Sequence, residues 1–159
     1  MGTKIASESF MAILPELLPL FALHYRETGL YRDWPGRLTQ SPQVERYKYA
    51  EQNKILLTLT ARLDGELVGY YIALAQHALH YAEVGHGYTD MPYVHPKVRH
   101  RGIGLRLFLE AEKTMRECGV KIWQAGSKID SELHPSMDRM LRHLGFAPTD
   151  LIYSKWLGD

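Results

Sequence analysis

Three arginines and two glycines stand within eight residues of one another: Arg99, Arg101, Gly102, Gly104 and Arg106, with His100 and Ile103 between them. These residue types at this spacing could bind an anion. Guanidinium groups make charge-assisted hydrogen bonds to phosphate oxygens, and glycines let the backbone approach a ligand with no side chain in the way. Residues 88–96 (Tyr-Thr-Asp-Met-Pro-Tyr-Val-His-Pro) read as a strand ended by proline. Residues 105–118 place Leu105, Phe108, Leu109 and Met115 at helical spacing with charges between them. A strand, a glycine turn and a helix start form an anion site from main chain alone. The first-turn N–H groups lack intrahelical partners, and the helix dipole adds about half a positive charge there. A dinucleotide fold would need a third glycine and an early position in the chain, and a Walker loop would need Gly-Lys-Ser/Thr. Neither is present. The remaining alternative is an arginine-rich surface turn, against which the flanking strand and helix argue.

The 159 residues, 45% of them hydrophobic, suffice for one domain with a proper core, expected to span 1–159. A net charge of +1 gives no reason to expect a nucleic-acid or membrane-surface binder. Its unevenness matters more: Lys97, Arg99, His100, Arg101 and Arg106 cluster at the proposed anion site. Cys118 is the lone cysteine, which excludes an internal disulfide and suits a reducing, cytoplasmic setting. At the end of an amphipathic helix it is expected to be buried or half-buried. Residues 10–23 are apolar but hold Pro15, Glu16 and Pro19 and are too short to span a bilayer. After Met1-Gly2, Ala6 occupies the position that myristoylation would require to be Ser or Thr. His77 and His80 have i,i+3 spacing, but no carboxylate or cysteine completes a metal site, so no metal is expected.

The elements that must position the loop follow from periodicity and turn chemistry. Residues 10–28 read as one or two helices, started or kinked by Pro15 and Pro19 and closed by Gly29. Ser41-Pro42 predicts an N-cap and first position for a helix through Asn53. Residues 55–63 and 67–74 read as strands joined at Asp64-Gly65. Residues 76–87 either continue the second strand or form a longer connection. After the anion loop and its helix, 120–125 reads as a strand, 133–144 as a helix stopped by Gly145-Phe146, and 151–156 as a final strand.

The segment Arg99 to Gly104 resembles the Gln/Arg-x-x-Gly-x-Gly/Ala pyrophosphate loop of the GNAT family of N-acetyltransferases. Val94-His95-Pro96 is similar to the V-x-P that ends that family's fourth strand, and Leu144-Gly145-Phe146 to its Leu-Gly-Phe after the last helix. The resemblance implies an α/β fold: a mixed, mostly antiparallel sheet flanked by helices and splayed between strands 4 and 5. It implies acetyl-CoA as cosubstrate and a primary amine as acceptor, on a small molecule, a peptide or a protein. The pyrophosphate would lie on the backbone N–H groups from Arg101 to Leu105, and pantetheine against Tyr93 and Val94. A homodimer is compatible with it. So is a lapsed relative that keeps the fold as a CoA-binding or protein-interaction module.

Two departures bear on that choice. The backbone N–H that polarises the acetyl carbonyl in the family falls near Pro92, which has none. Either the alignment shifts by one, a bulge supplies the Tyr93 N–H, a side chain serves, or the proline merely marks a splayed edge. Secondly, the family's acid tyrosine and its upstream asparagine correspond to Leu141 and His134. For the general base, Asp90 is the first candidate and is expected on the strand face of Pro92 and Val94 by period two. His86 follows, having a suitable unperturbed pKa, with Tyr88 and Glu83 nearby. Gln124, on the fifth strand, cannot take a proton. Tyr25, Tyr31 and Trp34 stand where the acceptor pocket is covered and could meet an amine through cation–π contacts or simply pack.

Overall fold

A computed structural model describes residues 2–28 and 33–158 of the chain. A five-stranded sheet runs in the order β1-β2-β3-β4-β5, built from Thr3–Ser7, Leu56–Leu63, Glu66–Ala78, Tyr81–Val94 and Val120–Ala125. All neighbours are antiparallel except β4 and β5, which are parallel. Helices α1 (Phe10–Thr28) and α2 (Val44–Gln52) precede β2, while α3 (Ile103–Glu117) and α4 (His134–His143) bracket β5. The mixed sheet flanked by helices is the expected architecture.

Each sheet face carries its own core. On one, Leu57, Leu59, Tyr71, Ala73, Ile103, Leu107, Phe108, Met115 and Leu141 pack between the sheet and α3/α4. On the other, Phe10, Ile13, Leu17, Leu20 and Phe21 of α1 cover Tyr70, Ile72 and Tyr93. The two prolines do not break α1. Pro15 and Pro19 lie four apart on its exposed side, where the carbonyls left without donors reach water. Its N-terminus is capped by Ser9 Oγ, which accepts from the Ala12 N–H at 3.3 Å. Glu51 of α2 accepts from the Phe10 N–H.

Asp64 and Gly65 both have positive φ, 51° and 93°, as a two-residue hairpin turn of the primed kind requires. Of the two alternatives for residues 76–87, the strand continues: β3 runs to Ala78, and β4 returns from Tyr81 with no longer connection between them. Thr3–Ser7, to which the sequence reading assigned no element, is a strand paired with β2 from Thr3↔Leu63 to Ser7↔Leu59. Three readings need correction. Helix α2 starts at Val44 with no side-chain cap, not at Pro42. Cys118 is exposed at the end of α3. Residues 151–156 form no strand. Gly29, expected to close α1, lies outside the described residues, as does Tyr31. No helix among the described residues is long and apolar enough to cross a membrane.

The β4–β5 pairing depends on a missing side chain. A β-carbon at Gly85 would collide with the Gly119 carbonyl and stand 3.0 Å from Val120 Cα. Gly85→Ala is therefore expected to cost about 1–3 kcal/mol through overpacking. Urea unfolding checks this, with Gly36→Ala, in open space but at a φ of +75°, as the comparison for purely conformational cost.

Candidate active site

β5 accompanies β4 only as far as Thr89↔Ala125. The last residues of β4, Asp90–Val94, therefore run on without a strand partner on that side among the described residues, which is the splay. Its apex is held by a buried polar cluster: Trp123 Nε1 donates to Tyr71 Oη at 3.0 Å and to Thr89 Oγ1 at 2.9 Å. Those two hydroxyls lie 2.6 Å apart. Burial pushes Tyr71 up to about 12, so the cluster stays neutral at working pH.

The open edge faces a cavity of about 300 Å³ lined by Pro92, Tyr93, Val94, Arg99, Gly102, Gly104, Leu105, Leu107 and Phe108, and by Leu133, Ser136, Met137 and Met140 at the α4 side. Its floor is the start of α3. A 3-10 turn, Pro96–Arg101, leads into Gly102, whose φ of 68° both ends that turn and starts the helix. The first intrahelical bond of α3 is Arg106 N to Gly102 O at 3.2 Å. The amides of Ile103, Gly104 and Leu105 precede it and are the ones a ligand can claim. Gly104 has no conformational need to be glycine. A β-carbon there would meet only Val94 Cγ2, at an ordinary 3.9 Å. The space above it belongs to the cavity.

The arginines divide by role. Arg99 donates through Nε to the Val94 carbonyl at 2.9 Å, pairs through Nη2 with Glu27 of α1, and lies over the Tyr93 ring at 5.5 Å. Arg106, expected to add charge for a phosphate, donates instead to the Thr3 carbonyl at 2.8 Å. Arg101, His100 and Lys97 are exposed beside the loop with no ion pair among the described residues. Arg101 and Lys97 carry cationic charge still open to a phosphate, and with the His100 ring and the amides of Ile103, Gly104 and Leu105 they fit a pyrophosphate.

The strand register decides which main-chain groups face the splay. His95 N donates to Val68 O at 2.8 Å. With Tyr93 opposite Tyr70 in the same alternation, the Tyr93 N–H points into β3, so of the alternatives for Pro92 the one in which a bulge supplies the Tyr93 N–H does not hold. Val94, opposite Gly69, turns its N–H outward; Pro92, opposite Tyr71, has none to turn.

A bulge does exist, one step earlier. Ile72 pairs with Met91 and Ala73 with Thr89, leaving Asp90 as the extra residue. The alternation breaks there, so Asp90 does not share the face of Val94, which packs against the α3/α4 core. It acts electrostatically on Tyr47 and Tyr70, on the α1/α2 side. Asp90 is open to solvent in part, yet desolvation by the surrounding protein raises its carboxyl pKa. Tyr47 is raised to about 12 by burial and then by the charge of Asp90. Beside them His24 is pushed down to about 4, mainly by burial, and Nδ1 meets Tyr70 Oη at 2.8 Å.

His86 lies further back on β4, with Nε2 2.8 Å from Gln124 Oε1. Tyr88 and Glu83 are exposed. Leu141 is buried in the core and does not line the cavity. His134 Nδ1 lies 2.8 Å from Ser127 Oγ. Tyr25 donates to the Leu38 carbonyl at 2.9 Å, and Trp34 packs against Trp156. Tyr47, His24, Tyr70 and Glu27 escaped the sequence reading. They reach Asp90 and Arg99 only through the packing of α1 and α2 on the sheet, and no local pattern marks that.

The acetyltransferase (GNAT) family profile matches residues 23–146. No curated protein sequence matches the chain. Among solved structures, a ribosomal-protein-alanine N-acetyltransferase from Brucella melitensis biovar Abortus 2308 superposes with a TM-score of 0.74 at 19% identity, covering 100% of both chains. An aminoglycoside acetyltransferase from an uncultured soil metagenomic sample gives 0.74 at 19%, covering 99% of this chain and 100% of its own. AAC(6')-Iy, in complex with the bisubstrate analog CoA-S-monomethyl-acetylneamine, gives 0.70 at 16%, covering 98% and 99%. At these identities the superpositions establish the fold. With the profile spanning most of the sequence, and the splayed strand meeting the glycine-led helix start, the chain belongs to the acetyltransferase (GNAT) family.

Proposed function

We propose that residues 1–159 act as one N-acetyltransferase unit that moves an acetyl group from acetyl-CoA to a primary amine by direct attack, in the cytoplasm. The observation that supports this most is the junction of the open β4 edge with the α3 start in one cavity, with room kept above Gly104. When bound, acetyl-CoA supplies an activated thioester carbonyl and a thiolate that can leave. The amides of Ile103, Gly104 and Leu105, with Arg101 and His100, hold the pyrophosphate. Val94, with its outward N–H, pairs with the pantetheine arm, and Tyr93 fixes the strand beneath it.

Asp90 accepts the proton of the incoming ammonium at its carboxylate, and the raised pKa makes it a better base than an exposed aspartate. His86 is the second candidate for that proton. The acceptor enters from the α1/α2 side, where Tyr47 stands within electrostatic reach of Asp90. Its class is an amine on a small molecule, peptide or protein, as the names of the aminoglycoside and ribosomal-protein-alanine acetyltransferases that share the fold suggest for those proteins.

The rival reading, a CoA-binding module without chemistry, rests on Pro92, which offers no amide, and Leu141, which offers no hydroxyl. Thiol release from acetyl-CoA against a panel of amines separates the two. Turnover with any amine excludes the module, whereas tight binding without turnover favours it.

Arg101 and Arg99 should behave differently. Arg101→Ala is expected to weaken CoA binding by about 1–3 kcal/mol, the scale of a charge-assisted bond, and to leave the melting temperature of the free protein unchanged. Arg99→Ala should lower that melting temperature as well, because it removes the guanidinium that pairs with Glu27 and donates to the Val94 carbonyl. Calorimetric titration with CoA and thermal denaturation of both variants check the pair.

A further inference from the structure

The cavity of the candidate site has two unlike walls. On the α4 side stand Met137 and Met140, unbranched side chains that adapt to whatever lies against them. The other wall is aromatic. Phe108 of α3 lines the cavity near Pro92 and is only 1% exposed. It rests on two rings that are not among the lining residues, Tyr71 edge-on at 5.2 Å and Trp123 stacked at 5.9 Å. Phe146 meets Trp123 in turn, edge-on at 4.7 Å. Tyr71 is also the β3 partner of Pro92, so one residue stands next to both Pro92 and Phe108.

This wall is locked. Leucine or phenylalanine at 71, 89 and 123 would fill a core with no polar group to satisfy. The chain instead places a hydroxyl, a second hydroxyl and an indole N–H there, and the three satisfy one another. A buried network of this kind is costly when half-made, so it fixes its members in one arrangement. Trp123 is thereby held by its N–H as well as by both ring contacts. The lock sits at Thr89↔Ala125, where β4 and β5 part. Three directions lead into that splay. The pantetheine arm comes along Val94 from the α3 start, and the amine comes past Asp90 from the α1/α2 side. An acyl chain on the thioester is left with the third, toward the apex and its aromatic wall.

We infer that Phe108, fixed from behind by Trp123 and Tyr71, sets the length of acyl group that the site accepts. An acetyl group fits, and each further methylene meets a wall that does not yield. Phe108 is thus specificity-determining, while Trp123, Tyr71 and Thr89 are positioning residues; none of them makes or breaks a bond. The inference rests on the acyl-CoA reading of the cavity. One methylene more or less in an apolar pocket is worth about 10–200-fold in discrimination. The flexible Met137 and Met140 side cannot supply that alone, because it can repack around a longer chain.

Calorimetric titration of the full chain with acetyl-, propionyl- and butyryl-CoA tests this without an amine. The wild type should bind acetyl-CoA and lose affinity as the chain lengthens, by at least about tenfold at butyryl. Trp123→Leu leaves the Tyr71 and Thr89 hydroxyls paired with each other and opens space behind Phe108. It should cut the preference for acetyl over butyryl by about tenfold. Phe108→Leu, a smaller change in volume, should shift the ratio the same way, and it carries the test should Trp123→Leu fail to fold. Equal affinity of the wild type for acetyl- and butyryl-CoA overturns the inference and leaves the cofactor reading intact. So does an equal loss of affinity for all three in the variants, the mark of a wall that is merely structural. Binding of none of the three by the wild type overturns the cofactor reading, and the inference falls with it.

Discussion

Asp90→Asn is expected to lower acetyl transfer by about 10²–10⁴-fold, the usual scale for loss of a general base. Affinity for acetyl-CoA should hold, because Asp90 faces the α1/α2 side and is not among the residues that line the cavity. The pH profile carries a sign that can be checked. Desolvation raises the Asp90 pKa, so the basic form is lost earlier on acidification than for an exposed aspartate. Activity should fall as pH drops through that raised value. Toward alkaline pH the rate should go on climbing as the acceptor ammonium, with a pKa of about 10, loses its proton. No tyrosine at 141 is present to impose an alkaline fall. Steady-state rates of thiol release across pH for wild type and Asp90→Asn measure both features. An unchanged rate in the variant moves the role to His86 or Glu83.

Gly104→Val should abolish the stabilisation that acetyl-CoA gives the folded chain. A ligand at a hundred times its Kd stabilises by about 2.7 kcal/mol, all of which the variant should lose. The free protein should tolerate the change well, since a β-carbon at 104 has only an ordinary contact with Val94. Gly102→Val should lose binding too, but there the φ of 68° makes the valine strained in the free protein as well. The two variants therefore separate a glycine needed for ligand approach from one needed for chain conformation. Thermal denaturation with and without acetyl-CoA reads both. Wild-type shifts in both variants would remove the loop from cofactor binding.

The parts of this protein that were legible in its sequence are those fixed by neighbours in the chain. Asp64-Gly65 specified its turn because two positive φ angles need those residue types. Gly102 specified the helix start in the same local way. The β1 strand was not legible, since Thr3–Ser7 becomes one only through its partner β2. The face of Asp90 was misread because a bulge is set by register against β3, which period-two counting along one strand cannot see. Arg99 looked like a phosphate ligand by its position in the loop; its partner Glu27 is 72 residues away. The tail from 151 has the composition of a strand, but composition supplies no neighbour to pair with.

The most direct test of the account is to mix purified protein with acetyl-CoA and a panel of primary amines, and to follow both free thiol and the mass of each amine. The account predicts that at least one amine gains the mass of an acetyl group in step with thiol release, and that Gly104→Val does neither. Failure of the wild-type protein to bind acetyl-CoA at all would contradict it.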